Sequence, residues 1–433
     1  MAGPALERHR RVPRRYRTRL ITLKFPPRLP LTRSDAVRGW HASLRKRLEA
    51  HVRPHGIVAA ASSIDAASGA FEPGFALNPP GSFMALALAF ARRLKLPFRA
   101  DIALDVGTAN TRIHVRGKGL VLNEASVICT RQPPPTGGAT RAPQSVGADA
   151  KRMLGRLPAH IEGVRPIKGG VIAHFAETQR MIRQFIGMAR AARTVPSSPR
   201  VTVSIASDAT HIERRAIREA VEAAGAARVT LLEKPIAAAL GAGLSARDTV
   251  GAVVVDIGAG TTEVGVIALG SVAHKASARV GGDAFDHAII GYVRRKHGVL
   301  IGEHTAERLK QEVGCAVCGG RETSLDVTGR SLLEGVPRML RISSHEMVEA
   351  LTDPLNQIVT LLKGALERTP PELAADIVGR GIVLTGGGAL LHGIERRLAE
   401  ETGLRVLVAA NPMTCVVRGI GIAMETLGAH AFE

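Results

Sequence analysis

Cysteine, aromatic residues and long apolar runs are all scarce in this chain, and each scarcity excludes a class of protein. Four cysteines in 433 residues (Cys129, Cys315, Cys318, Cys415) are too few for a disulfide-built secreted fold, so a reducing compartment is expected. Cys315 and Cys318 form one CxxC, but no second pair or histidine cluster completes four ligands, and the motif reads as a small-residue turn. Aromatics make up 3% of the chain, which leaves almost nothing from which to build a base-stacking platform. The longest apolar run near the N-terminus, residues 83–91, is stopped by Arg92 and Arg93, well short of the roughly 20 residues that cross a bilayer. The arginine-studded first fifty residues carry no cleavable secretory pattern. Acidic residues are in deficit, 38 against 58 basic, for a net charge of +20 that taken alone suggests a polyanionic partner. The excess is concentrated, however: residues 1–100 hold 19 basic and 5 acidic residues, and residues 101–433 hold 39 and 33.

What is present is an ordinary globular composition, 45% hydrophobic and 22% charged, in a chain long enough for roughly two or three domains. Residues 1–82 differ from the rest, with arginine clusters at Arg10, Arg11, Arg14, Arg15, Arg17 and Arg19, scattered prolines and a small-residue stretch over 57–80. They are expected to form a disordered basic extension, or to precede the true start, since Met84 opens the first segment with a clear physical purpose. From Asp101 onward short Val/Ile-rich runs alternate with helical patterns, the signature of an α/β chain. The expected strands are 102–106, 112–115, 201–205, 229–232, 252–257, 263–268, 381–385 and 405–408. The expected helices are 178–192, 211–224, 284–297, 306–312, 344–368 and 393–401. The stretches 132–143 and 194–199 read as loops.

One pattern occurs twice, 151 residues apart: an apolar strand ends in aspartate, a small-residue turn follows, and a second strand begins. The first copy is Ile102-Ala-Leu-Asp105-Val-Gly107-Thr108-Ala-Asn110-Thr111, and the second is Val254-Val-Asp256-Ile-Gly258-Ala-Gly260-Thr261-Thr262-Glu263. Glycines at such a turn let backbone N–H groups and threonine hydroxyls approach a phosphate closely. Asp105 and Asp256, at the strand ends, are placed to hold a hydrated Mg²⁺ beside those phosphates. Two such hairpins facing one another would clasp a triphosphate. A third turn, Thr385-Gly386-Gly387-Gly388, follows an apolar strand and precedes a helical pattern, which allows close approach of a flat or charged ligand.

With these turns the sequence resembles the actin and heat-shock-chaperone ATPase superfamily, and within it the MreB family of bacterial actins. The resemblance runs from about residue 84 to about residue 427. Besides the three turns it is carried by Gly117-Lys-Gly-Leu-Val-Leu-Asn-Glu124, Val146-Gly-Ala-Asp-Ala-Lys-Arg-Met-Leu-Gly-Arg156, Arg165-Pro-Ile-Lys168, Glu213-Arg-Arg-Ala-Ile-Arg-Glu219, Gly281-Gly-Asp-Ala-Phe-Asp286 and Gly302-Glu-His-Thr-Ala-Glu-Arg-Leu-Lys310. It implies an actin-like ATPase fold of two lobes, each with a ribonuclease-H-like sheet flanked by helices, and ATP with Mg²⁺ in the cleft between them. The first lobe would span 100–240 and the second 241–427, with part of the C-terminus returned to the first. By the same resemblance Asp105, Gly107, Thr108 and Asn110 form the first phosphate loop, and Asp256, Gly258, Gly260, Thr261 and Thr262 the second, with Thr261 near the attacking water. Glu307 and Lys310 approach the nucleoside, while Gly386, Gly387 and Gly388 line base and ribose. The family's homopolymer filaments lie beneath the inner membrane and organise the cell-wall elongation machinery that keeps rod shape.

The sequence also departs from the family pattern. Where a glutamate normally precedes proline and positions the attacking water, this chain has Glu233-Lys234-Pro235, so a cation stands at the carboxylate position. Ala259 replaces a glycine, Arg112 an apolar residue, and Ile205-Ala-Ser-Asp208 a strand end that normally contains proline. Impaired hydrolysis is therefore expected. Residues 83–99, Phe-Met-Ala-Leu-Ala-Leu-Ala-Phe-Ala-Arg-Arg-Leu-Lys-Leu-Pro-Phe-Arg, read as an amphipathic membrane-binding segment. Phe83, Met84, Leu88 and Phe90 would face acyl chains and the basic end anionic headgroups. A soluble kinase or chaperone-type ATPase on the same fold is the rival reading, and it lacks both a sugar-pocket base motif and a peptide-binding domain after Gly388. A specific nucleic-acid partner rests on the basic arm alone and is not expected.

Overall fold

The structure, a computed structural model, describes residues 101–131, 143–192, 198–245, 248–319 and 322–426. The basic arm and the amphipathic segment with Phe83, Met84, Leu88 and Phe90 lie outside the described residues.

The first lobe begins with β1 (Asp101–Val106), β2 (Asn110–Val115) and β3 (Gly119–Ala125). There follow β4 (Ile128–Arg131), β5 (Pro143–Val146), α1 (Gly147–Met153), β6 (Ile161–Val164), β7 (Ile167–Lys168), β8 (Val171–Ile172) and α2 (Phe175–Ala191). It continues through β9 (Arg200–Ile205), α3 (His211–Ala223) and β10 (Arg228–Glu233) to α4 (Lys234–Gly241). The second lobe comprises β11 (Ala252–Ile257), β12 (Thr262–Ala268), β13 (Ser271–Ala278), α5 (Gly282–His297), β14 (Val299–Leu300), α6 (Glu303–Glu312), β15 (Ser324–Ser331) and β16 (Pro337–Ser343). After these come α7 (Ser344–Glu367), α8 (Pro371–Arg380), β17 (Ile382–Thr385), α9 (Ile394–Thr402), β18 (Val406–Val408) and α10 (Cys415–Thr426).

The repeat seen in the motifs extends to whole sheets. One sheet runs β3-β2-β1-β9-β10 and the other β13-β12-β11-β17-β18, so each has the order third-second-first-fourth-fifth by position in the chain. In both, the first three strands pair antiparallel and the last two add in parallel. The ribonuclease-H-like arrangement expected for each lobe is thus observed. Central strands β1 and β11 are buried along their whole length, as continuous Val/Ile/Leu-rich runs covered on both faces must be. β13 alternates between exposed and half-buried residues, as befits the sheet edge.

Helix starts follow local chemistry. Thr210 with Glu213 and Ser343 with Glu346 form reciprocal capping boxes at α3 and α7, satisfying N–H groups that the helix itself leaves open. α4 and α10 were not among the expected helices; most of their residues are small, apolar and buried. They pack together between the sheets, with Ala237, Ala238, Val416, Val417 and Ile420 in one cluster with Ala103 of β1 and Val254 of β11. Their backbones nearly touch: a Cβ on Gly419 would lie 1.7 Å from the Ala237 carbonyl oxygen, and one on Gly241 would lie 1.8 Å from that of Cys415. Two larger cores, one per lobe, flank this helix pair.

Candidate functional site

The two glycine turns share one geometry. The Gly107 N–H donates to the Asn110 carbonyl at 3.0 Å, and the Gly258 N–H to the Thr261 carbonyl at 2.8 Å. Across β1–β2 Asp105 sits opposite Arg112, and across β11–β12 Asp256 sits opposite Glu263. Each aspartate accepts a hydroxyl from the neighbouring parallel strand, Asp105 from Ser204 (2.7 Å) and Asp256 from Thr385 (2.9 Å). The turns meet at their tips. A Cβ on Gly260 would fall 2.4 Å from Thr108 Oγ1, and that oxygen accepts the Gly170 N–H at 3.1 Å. Asp105, Gly107, Thr108 and Asn110 are therefore brought together with Asp256, Gly258, Gly260 and Thr261. Thr262 is turned away: strand alternation buries its side chain, and its hydroxyl donates to the Val280 carbonyl at 2.7 Å.

The floor between the aspartates is charged. Lys234, the first residue of α4, is 8% exposed, and its Nζ lies 4.0 Å from Glu263 Oε1. Pro235 beside it packs on β12, where a Cβ on Gly265 would lie 2.5 Å from the proline ring. Burial alone would pull the lysine pKa down, but Glu263, Asp105, Asp256 and Asp208 outweigh it and raise it above the ordinary value. Glu263 is 1% exposed; its Oε2 accepts the Ser207 N–H at 2.9 Å while Oε1 has no hydrogen-bond partner. Burial pushes its pKa up to about 7 against the pull of Lys234 and Ser207. Burial likewise raises Asp256, opposed by Lys234 and the Thr385 hydroxyl. Arg112 reaches Asp105 at 3.5 Å. Glu233 leaves this group altogether, since it ends β10 and pairs with Arg214 (3.0 Å) and Lys275 (2.8 Å).

The third turn is tightly built. Gly386 has φ +81°, and a Cβ there would meet the Ile257 carbonyl oxygen at 2.3 Å; one on Gly388 would meet the Ile257 side chain at 2.2 Å. Gly387 alone faces open space. Two of the three glycines are thus required by strand-to-strand packing. On α6, Glu307 reaches across to Lys151 of the first lobe at 2.7 Å, and Arg165 to Glu303 at 2.9 Å. Lys310 stays within its own lobe, bonded to Asp286 (2.8 Å) and the Gly282 carbonyl (3.0 Å). Asn110, Asn123, Lys151, His304 and Glu307 are among the residues lining a polar cavity of about 410 Å³ between the lobes.

Asp105 and Asp256 each accept one hydroxyl on Oδ1, which leaves acceptor capacity for the water shell of a Mg²⁺ ion, and a guanidinium and an ammonium share the floor with them. Sequence reasoning gave no role to Ser204, Ser207, Asp208, Glu263 or Thr385. Ser204 and Thr385 end strands parallel to those bearing the aspartates, a position visible in sequence, whereas the meeting of Glu263 with Lys234 depends on how the sheets face each other.

The sequence profile of the MreB/Mbl protein family matches residues 99–431. The chain is 52% identical over 333 residues to the cell shape-determining protein MreB of Escherichia coli strain K12, covering 77% of this chain and 95% of that relative. It also superposes on the crystal structures of MreB5 of Spiroplasma citri bound to ADP (TM-score 0.71) and of MreB 5 bound to AMPPNP (TM-score 0.72). Both are 32% identical; they cover 76% and 77% of this chain, respectively, and 98% of each solved chain. Duplicated sheets, paired aspartate turns and these likenesses together make this chain a member of the MreB/Mbl family of bacterial actin homologues.

Proposed function

We propose that this protein binds ATP between its two glycine turns, assembles into homopolymer filaments at the inner face of the cytoplasmic membrane, and organises cell-wall synthesis that maintains rod shape, with impaired hydrolysis. The observation that carries the reading is the pair of matched turns whose tips meet at Thr108 and Gly260 beneath a cleft joining both lobes. In this assignment Gly107, Thr108 and Asn110 cradle one side of the phosphates and Gly258, Gly260 and Thr261 the other. Glu307 and Lys310 lie toward the nucleoside, and Gly387 presents an open backbone beside the base. Relatives bound to ADP and AMPPNP support the nucleotide. The E. coli relative's description as cell shape-determining supports the role.

Impaired turnover follows from Lys234. In-line attack needs a water oriented by a hydrogen-bond acceptor, and an ammonium has three donors and no acceptor. Glu233 is committed to Arg214 and Lys275, and Glu263 is sealed from solvent, so neither replaces the missing acceptor. Loss of such assistance is worth roughly 10² to 10⁴ in rate. Electron microscopy of the full chain with and without ATP tests assembly, and phosphate release from wild type and Lys234→Glu tests turnover. Filaments in ATP and a faster Lys234→Glu variant are expected. Wild type that hydrolyses as fast as the variant would refute the role given to Lys234.

A further inference from the structure

Cys315 and Cys318 lie in the link from α6 to β15 and have no part in the nucleotide assignment. Both are free thiols, Cys315 buried and Cys318 exposed. The inner side of the link is pinned. A Cβ on Gly314 would fall 2.1 Å from the Lys310 carbonyl oxygen, and the Ala316 N–H donates to the His392 carbonyl at 2.8 Å. Val317 packs on Gly393, where a Cβ would lie 2.7 Å from a Val317 methyl carbon. The chain bends through 316–319 around these anchors, and Gly319 takes a left-handed φ of +92°. Within the bend Cys315 Sγ donates to the Val317 carbonyl at 2.9 Å. That carbonyl belongs to the peptide group joining Val317 to Cys318, so the buried sulfur already lies against the backbone of the exposed cysteine. A four-residue turn brings its ends to within about 7 Å, close to the Cα separations of about 4.4–6.8 Å that a disulfide spans.

We propose that Cys315 and Cys318 form a redox pair that a peroxide converts to a disulfide and small-molecule thiols restore. Cys318 is the sulfur that solvent reaches, and Cys315 is the one held behind it. As a thiolate, Cys318 attacks the peroxide: an S–O bond forms, the O–O bond breaks, and the leaving hydroxide takes up a proton to become water. Cys315 then gives up its proton and attacks the Cys318 sulfenic sulfur; the S–S bond forms, the S–O bond breaks and a second water leaves. The two thiols lose two electrons and two protons, and hydrogen peroxide gains both. Two thiol molecules reverse the step by exchange and are themselves joined as a disulfide. Cys129 and Cys415 are not placed for this chemistry. Both are buried, burial raises the pKa of both thiols, and no second cysteine lies near either in the chain.

The test is mass spectrometry of the full chain after brief exposure to hydrogen peroxide, with the remaining thiols alkylated in denaturant. Residues 311–321 fall in one tryptic peptide, preceded by Lys310 and ending in Arg321, that holds both cysteines. The expected result is loss of alkylation at both and a mass about 2 Da below that of the reduced peptide. Dithiothreitol should restore full alkylation, and Cys129 and Cys415 should stay alkylated throughout. Cys315→Ser should stop the reaction at a Cys318 sulfenic acid, trapped as a dimedone adduct, and Cys318→Ser should leave Cys315 alkylated. A wild-type peptide in which both cysteines stay alkylated overturns the proposal, as does one in which Cys318 is a sulfinic or sulfonic acid beside an alkylated Cys315. A Cys315→Ser protein that melts like wild type yet gives no adduct at Cys318 would refute the role of Cys318 as the attacking sulfur. The wild-type peptide decides the pairing without any variant.

Discussion

Glu263 offers a quantitative test of the charged floor. In the unfolded chain a glutamate titrates near 4.5, while burial in the folded protein pushes Glu263 up to about 7. Between those values the folded protein keeps a proton that the unfolded chain has released. Raising the pH through this window therefore removes stability, which is fully present below 4.5 and lost by the time the pH exceeds 7. The gap corresponds to about 3 kcal/mol, taken at about 1.4 kcal/mol per pH unit. Glu263→Gln holds a neutral group at the same place and cannot titrate. The difference in melting temperature between variant and wild type should then change by roughly 3–5 °C between pH 5 and pH 8, in the variant's favour at the higher pH. Lys234 stays charged throughout this range, so the comparison isolates the carboxyl. Parallel melting curves for the two proteins across pH would show that Glu263 is ionised in the fold and that the cleft floor is better solvated than its burial implies.

Three other outcomes are expected. Gly419→Ala should destabilise by about 3 kcal/mol or more, because its Cβ would press on the Ala237 carbonyl and force two helix backbones apart; denaturant unfolding reads this, and a wild-type midpoint would mean that the helices do not touch. Lys151→Glu should open the mouth of the cleft, detected as an increased radius of gyration in solution scattering, with Lys151→Glu/Glu307→Lys restoring it. The half-exposed pair is worth only about 0.5–1 kcal/mol, so overall melting should barely move. Replacing Phe83 and Met84 with charged residues should abolish co-sedimentation with anionic liposomes, and undiminished binding would place the membrane contact elsewhere.

Much of this architecture is legible without coordinates because its strongest signals are local. An apolar strand ending in aspartate and a glycine turn states its own geometry, and finding it at both Asp105 and Asp256 reveals the duplication. The turn bonds from Gly107 to Asn110 and from Gly258 to Thr261 involve residues only three apart. Capping boxes at Thr210 and Ser343 are equally local. Less legible were β3 and β13, which close each sheet's antiparallel half, and α4 and α10, short apolar runs that periodicity alone does not separate from buried strands.

The sequence by itself determined the α/β plan and the paired turns, since both depend on residue type and near-neighbour spacing, and its resemblance to the family implied the two lobes and the replacement of an acceptor by Lys234. Only the tertiary structure decided what Lys234 meets. Glu263 is 29 residues away in the chain and Asp105 lies in the other direction, and they converge because two sheets pack on the α4–α10 pair. Their meeting also sets their chemistry, because a pKa depends on desolvation and on charges within a few ångströms, neither of which a linear pattern carries. The same holds for Thr262 and Gly386. The family resemblance placed both at the ligand, and packing turned the threonine hydroxyl onto Val280 and fitted the glycine against Ile257.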